Sequence, residues 1–402
     1  MPRFRVALLV LIVLAVPMHA RRRSVAAPGG NQLLAYPLQS VSLVSDTTDL
    51  LPLGAAIGQA TIVGLGDSTH GTREFFTIKL RILDYLVRER GVDVLSIEAP
   101  FAITERINVY AQGGPGDPRA LLRELDQRLF YMFWNVQELL DVIEWVRAYN
   151  AHRGARPPIE IAGADIYDES GAVAGVVDYL RRTDPAEATR AEQDYSCVLA
   201  HDRSAGCERR ARGVRDRLAA APLSSRDYQD ALHYADVVQQ YFSAQRFAPR
   251  DRNMAENILW IREHRGLSRR VVHWGHQEHV GRTPTATTRG DTMGSILAAR
   301  LGRDYAALGT LTGSGTFMQF KDVTFANDPH TYPDPAEGSY EWTFRQLGMP
   351  ATFIPLRDRV IPGTFYRTAG TLSGWITVTE PLALKLDGVI YIDRTTPTTP
   401  LR

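Results

Sequence analysis

Asp67, His70 and Glu98 are the residues whose types and placement first suggest chemistry in this chain. Asp67 and His70 lie in the run Gly66-Asp67-Ser68-Thr69-His70-Gly71, and Glu98 closes a later apolar run. A histidine held between two carboxylates can be oriented, and its proton affinity tuned, for general-base work near neutral pH. The elements that must position these residues are legible around them. Ile62, Val63 and Leu65 predict a strand, Arg73 to Arg90 an amphipathic helix, and Val92 to Ile97 a second strand that delivers Glu98. In such a β-α-β unit the carboxyl ends of neighbouring parallel strands face one crevice, where open α/β sheets bind ligands.

A second cluster is His273-Trp274-Gly275-His276-Gln277-Glu278-His279, which holds three of the ten histidines. It follows a strand expected at Arg270 to Val272 and belongs at the same sheet edge. His276 and His279 read as site residues, whereas His273 reads equally as a hydrogen-bonded structural histidine. Asp165 ends a strand begun at Ile159, so a further carboxylate reaches that edge. Arg73 and Lys79, near the start of the first helix, are candidates to bind substrate or an oxyanion. For Lys79 a solvated face or an ion pair is the competing reading. Asp67, His70, Glu98, His276 and His279 also contain enough nitrogen and oxygen donors for zinc or a similar divalent cation, though no strict ligand spacing is present. Ser68 sits where a nucleophile elbow would place a serine, but His70 replaces the second glycine, and Ser68 reads as a turn residue.

The chain has 402 residues, 44% of them hydrophobic and 23% charged, with a formal net charge of +1. That is ordinary globular composition with no basic excess to neutralise nucleic-acid phosphates. The arginine clusters at 21–23, 209–212 and 250–252 read as solvated surface. Residues 1–20 have a basic start, the apolar run Val6 to Val16 and a small residue at Ala20, which predicts a secretory signal. An uncleaved anchor is the alternative, and no other membrane span is seen. The expected location is therefore outside the cytoplasm, periplasmic or secreted. The two cysteines, Cys197 and Cys207, are expected to pair there.

The expected architecture is an α/β domain over residues 51–402, preceded by an extended lead-in at 21–50. A central, mostly parallel sheet is flanked by helices, with a largely helical subdomain inserted at about 174–265. Tyr228, Tyr234, Tyr241 and Phe242 in that insertion read either as subdomain packing or as an apolar wall for a bulky substrate. The carboxyl-terminal run from Thr395 to Pro400 reads as mobile.

The residues as a set resemble the erythromycin esterase family. The resemblance is carried by Gly66-x-x-x-His70-Gly71-Thr72-Arg73-Glu74-Phe75-Phe76, then Glu98-Ala99, then His276-x-x-His279-Val280. Trp134, Trp145-x-Arg147-x-Tyr149-Asn150, Gly163-x-Asp165, Met293-Gly294 and Ile392-Asp393 follow in family order, so it spans about Leu51 to Pro400. It implies an α/β scaffold and hydrolysis of an ester such as a macrolide lactone. It also implies a general-base role for His70, site carboxylates at Asp67 and Glu98, a histidine pair at His276 and His279, and a site cation at Lys79. Asp67 stands where the family usually has the longer glutamate, so a direct contact could become water-mediated. Lys79 stands where some members have arginine and lacks its two-pronged geometry. Both departures bear on macrolide specificity more than on hydrolysis.

The functional expectation is an exported carboxylic ester hydrolase acting on a small-molecule ester or lactone without a cofactor. A metal-dependent hydrolase or peptidase using the same cluster is one alternative, and a non-catalytic glycan-binding protein is another.

Overall fold

The computed structural model describes residues 23–26, 32–126, 132–221, 224–243, 247–284, 288, 290–320, 327–369 and 375–401. The expected signal at 1–20 lies outside the described residues. The strands are β1 (Arg23–Ala26), β2 (Gln32–Pro37), β3 (Ile62–Asp67), β4 (Val94–Pro100), β5 (Glu160–Asp165), β6 (Val271–His276), β7 (Tyr305–Phe320), β8 (Asn327–Tyr332), β9 (Ala351–Pro355), β10 (Tyr366–Ala369), β11 (Trp375–Val378) and β12 (Gly388–Thr395). Ten of them form one sheet in the order β1-β2-β9-β12-β7-β3-β6-β4-β5, with β8 hairpinned onto β7. The run β12-β7-β3-β6-β4-β5 is parallel throughout, while β9 and β2 extend it antiparallel. The mostly parallel α/β sheet is thus as expected. β3, β4, β5 and β6 are buried along their whole length, which is why they read as continuous apolar runs rather than alternating ones.

The helices preceding the insertion are α1 (Leu51–Ile57), α2 (Arg73–Arg90), α3 (Phe101–Ala111), α4 (Pro118–Asp126) and α5 (Gln137–His152). α2 ends at Gly91, whose φ of 65° gives the left-handed cap that glycine adopts without steric cost. Its apolar face, including Phe75, Phe76, Ile82, Leu83 and Leu86, packs with α5 and the sheet in one core layer. On the opposite face, Met254, Ile258 and Ile261 pack with Met293, Leu297 and Tyr305.

Between β5 and β6 the chain forms α6 (Glu169–Thr183), α7 (Pro185–Leu199), α8 (Ala205–Ala219), α9 (Arg226–Ser243) and α10 (Phe247–His264). α6 to α9 enclose a separate core, and a Cys197–Cys207 disulfide ties α7 to α8. Tyr228 and Tyr241 are buried inside this core, with Tyr234 and Phe242 packed against it. Of the two readings of these aromatics, packing is the one observed. After β6 come α11 (Gln277–Val280), α12 (Met293–Leu301), α13 (Tyr340–Arg345) and α14 (Leu382–Lys385).

The carboxyl-terminal run is a correction. It is anchored rather than loose: Thr396 N–H and Oγ1 donate to Glu74, and Thr399 does the same to Glu138. Arg73 N–H donates to Thr396 O at 3.0 Å and Thr398 N–H to Gly71 O at 3.0 Å. The threonines and prolines suggested a solvated tail because nothing local marked the carboxylates that fix it.

Candidate functional site

The site is assembled by strand register. Asp67, last in β3, lies beside His276, last in β6, and Ser96 in β4 lies beside His273. Glu98, two residues on, therefore reaches the same edge. α11 begins directly after His276 and lies across β3, so close that a Cβ on Gly66 would stand 2.7 Å from Gln277 Cα. Gly71 is tighter still, since a Cβ there would stand 1.8 Å from Met318 O. The glycines flanking Asp67 and His70 thus answer to the approach of α11 and β7 rather than to phosphate.

Asp67, His70, Glu98, His276 and His279 converge and are all at least nine-tenths buried. His70 Nδ1 stands 3.0 Å from Asp67 Oδ1, and its Nε2 stands 3.8 Å from Glu98 Oε2. The Nδ1 contact is off the line of a well-directed hydrogen bond, although the atoms touch. The shorter Asp67 side chain still reaches His70 directly, with no water needed. Phe133 stacks on the His70 ring at 4.0 Å between centroids and 9° between planes.

Lys79 points inward from α2, 3% exposed, and its Nζ donates to Asp67 Oδ2. It is an ion-paired site cation, not part of a solvated face. Arg73 is not brought in: its side chain is 59% exposed and lies 3.8 Å from Glu138.

The arginine cluster at 250–252 is the second correction. Arg250 is only 12% exposed. Its guanidinium donates to Glu98 Oε1 at 2.8 Å, to both oxygens of Asp165, and to His279 Nε2 at 3.0 Å. Asp251, fully buried beside it, places both oxygens 2.9 Å from His279 Nδ1 and accepts Met293 N–H at 2.7 Å. A run of charges usually marks a solvated face, but here the first turn of α10 is aimed at the sheet edge. What the insertion contributes to the site is this charged pair, not its aromatics. Asp165 serves as an anchor for Arg250.

The remaining histidines differ in kind. His276 Nδ1 accepts Glu278 N–H at 3.3 Å, so its proton resides on Nε2, 3.0 Å from Thr368 Oγ1 in β10. Thr368 Oγ1 in turn donates to Ser68 O at 2.9 Å. Ser68 thus contributes a carbonyl here, in keeping with a turn residue. His273 is fully buried, with Nδ1 3.0 Å from Ser96 Oγ, and is structural. Glu278 points away, bonded to Tyr366 OH at 2.8 Å and Lys385 Nζ at 2.7 Å.

Charge states follow from these contacts. Burial pushes Asp67 up, but Lys79 and then His70 hold it below the ordinary carboxylate value. Burial also pushes Glu98 up, yet His279, Arg250 and His70 hold it well below that value. Burial pushes His276 down to about 4 with help from His70, and His273 down to about 3. His279 goes the other way: burial opposes its charge, but Asp251 and Glu98 outweigh burial and raise it. Ionised Asp67 and Glu98, neutral His276 and His273 and a readily charged His279 therefore share a buried space at neutral pH. Among the described residues no group of three or more His, Cys, Asp or Glu side chains is arranged to hold a metal ion. Asp67 Oδ2 is taken by Lys79, and the two oxygens of Glu98 by Arg250 and the His276 N–H.

Residue types alone did not reveal Arg250, Asp251, Thr368 or Phe133. The one local signal was Pro249, which breaks the insertion's text just before Arg250-Asp251.

Comparison with known proteins gives a consistent result. The family model described as erythromycin esterase matches residues 87–395, beginning downstream of Asp67 and His70. YbfO of Bacillus subtilis (strain 168), provisionally described as a hydrolase, is 23% identical over 412 residues and covers 90% of each chain. Erythromycin esterase type II of Escherichia coli is 23% identical over 359 residues, covering 77% of this chain and 84% of its own. Among solved structures, a point mutant of the erythromycin esterase EreC, in its open conformation, shares the fold. Its TM-score is 0.69 at 16% identity, over 87% of this chain and 94% of that one.

Proposed function

The chain belongs to the erythromycin esterase family, and from that premise we propose that it is a hydrolase that adds water to an ester or lactone, with His70 as general base. The observation that carries this reading is the placement of His70, with Nδ1 against the Asp67 carboxylate and Nε2 3.8 Å from Glu98. An imidazole whose Nδ1–H faces the Asp67 carboxylate keeps its Nε2 lone pair for a proton.

In the proposed reaction His70 Nε2 takes a proton from water, and the water oxygen bonds to the substrate carbonyl carbon. The carbon–oxygen bond to the alcohol then breaks, and the departing oxygen takes a proton from His279 Nε2. His70 ends protonated and His279 neutral, and proton exchange through solvent resets both. Glu98, ionised and within 4 Å of both histidines, offers an opposite charge to whichever ring carries the extra proton. Positive charge for the developing oxyanion comes from Arg250, while His279 serves the leaving group alone. Lys79 is committed to Asp67 and acts by holding that carboxylate in place.

The substrate class is an ester or lactone, of which a macrolide is one case. Export is part of the proposal, supported by the apolar leader and by the Cys197–Cys207 disulfide, which suits an oxidising compartment.

The test is a panel of macrolides, acylated sugars, polyketide lactones and lipid esters, read by mass change, with and without chelator. Turnover that falls about 10²–10⁴-fold in His70→Ala supports the reading. Full activity in folded His70→Ala would sink the base assignment, and activity abolished by chelator would transfer the role to a metal.

A further inference from the structure

The site contains a second aspartate–histidine pair, and its two residues come from different parts of the fold. His279 belongs to α11, directly after β6. Asp251 belongs to α10, the last helix of the insertion. Asp251 is fully buried, and both its oxygens lie 2.9 Å from His279 Nδ1. The carboxylate is itself fixed, because Oδ1 also accepts Met293 N–H at 2.7 Å from the start of α12.

We propose that Asp251 is a positioning residue that makes His279 the site's proton donor, by keeping Nδ1 protonated so that protons enter and leave only at Nε2. This rests on the hydrolytic reading given above and adds to it the source of the acid.

The argument comes from donors and acceptors. Arg250 Nη1 lies 3.0 Å from His279 Nε2, and a guanidinium can only donate. In that arrangement Nε2 is a bare acceptor, so the one ring proton is on Nδ1, facing Asp251. Glu98 Oε1 lies 3.3 Å from the same Nε2, and a carboxylate can only accept. That contact needs Nε2 protonated. The two contacts describe two states of one ring. The neutral ring takes a hydrogen bond from Arg250, and the charged ring gives one to Glu98. Asp251 accepts from Nδ1 in both states, so the change is confined to Nε2.

His279 is faced by Asp251 and Arg250 from α10, by Glu98 from β4, and by the neutral His276 and His273 of β6. Among these, Asp251 alone touches Nδ1. His276 cannot serve as the donor in its place. Its Nδ1 accepts Glu278 N–H and its Nε2 proton is given to Thr368, so neither nitrogen is available. In Asp251→Asn, the Met293 N–H retains the side-chain oxygen and turns the amide N–H toward Nδ1. The ring proton then moves to Nε2 on a neutral ring, which is a far weaker acid than the imidazolium.

The test compares leaving groups. A p-nitrophenyl ester expels a stable anion and needs no proton donor, whereas an ethyl ester of the same acid does. In Asp251→Asn the ethyl-ester kcat should fall about 10²-fold, with the p-nitrophenyl rate within about threefold of wild type. The falling limb of kcat against pH for the ethyl ester should move to lower pH, and Asp251→Glu should restore part of both. His70→Ala should lose both substrates alike, so failure of the base assignment is seen separately. An equal fall on both esters in a folded variant would reduce Asp251 to a structural role and overturn the proposal. A substrate-free readout uses wild-type protein with ring-15N histidine. The His279 Nδ1 should stay protonated across its titration. A neutral His279 with its proton on Nε2 would overturn the proposal whether or not either ester is turned over or the variants fold.

Discussion

Replacing Arg250 with alanine should be among the most damaging single changes in this protein, and the structure sets its size. Arg250 is the cation against Asp165, which is fully buried, and against Glu98, which is 3% exposed. Removing one partner of a buried, hydrogen-bonded ion pair costs about 3–5 kcal/mol, because the other charge stays buried without compensation. Two carboxylates are stranded here, so the upper end of that range applies. With a urea slope on the order of 3 kcal/mol per molar or more, the midpoint falls by on the order of 1 M. The loss should depend on pH in a definite direction. The folded state holds Glu98 well below its ordinary 4.5, so its stabilisation is present above that value and disappears as pH falls through the folded value. Without Arg250 much of that stabilisation is absent at neutral pH, and the Glu98 carboxyl protonates at little further cost in acid. Wild type and Arg250→Ala should therefore differ most near pH 7 and converge below pH 4.5, as pH falls toward the folded value of Glu98. The assay is urea unfolding followed by circular dichroism at pH 7, 4.5 and 3. A loss below about 1 kcal/mol at pH 7, or a loss that does not shrink in acid, would refute the account of Arg250 as clamp.

His276 and His273 are held neutral, at about 4 and about 3, against an ordinary 6.5. The unfolded chain binds more protons at these two positions over that interval, so the stability they contribute should be full above pH 6.5 and fall steadily toward pH 4; a thermal midpoint whose pH dependence over that range is unchanged in His276→Gln would contradict it. Thr368→Val removes the hydrogen-bond partner of His276 Nε2 and should lower stability by about 1–3 kcal/mol, with kcat falling more than KM rises; unchanged kcat and midpoint would exclude a role for this contact. Cys197→Ser with Cys207→Ser should lower stability by roughly 2–3 kcal/mol through loss of the short cross-link, with ester turnover at 25 °C retained; a midpoint equal to wild type would show that the cross-link adds nothing.

The β-α-β unit at residues 62–100 was legible because three signals agreed there: an apolar run, a helical period and a polar residue at each strand end. The same logic placed His276 and His279. It failed at Arg250 and Asp251 because their partners are remote. Asp165 is 85 positions away, and apart from Pro249 nothing near Arg250 distinguishes it from the solvated arginines of α8. Thr368 was missed for a related reason, since β10 is four residues long and its hydroxyl matters only because β6 ends beneath it. The β9 strand went unread although Gly348 and Pro350 mark the turn before it, because its five-residue run Ala351–Pro355 is too short for periodicity to separate strand from helix and its partners β12 and β2 are not read off locally. Lys79 was left open between surface and site, because helical spacing gives the face of a residue but not what lies above that face.

The anchoring of residues 396–399 has a temporal side. These residues hold Gly71 and Arg73, immediately after the proposed base, and 322 positions separate Thr396 from its partner Glu74. A ribosome moving at roughly 5–20 residues per second needs on the order of 15–60 s to cover that distance. For that interval the turn carrying His70 exists without the strap that fixes it. A newly made chain therefore carries this turn unfixed until residues 396–399 have emerged and folded back onto Gly71 and Glu74.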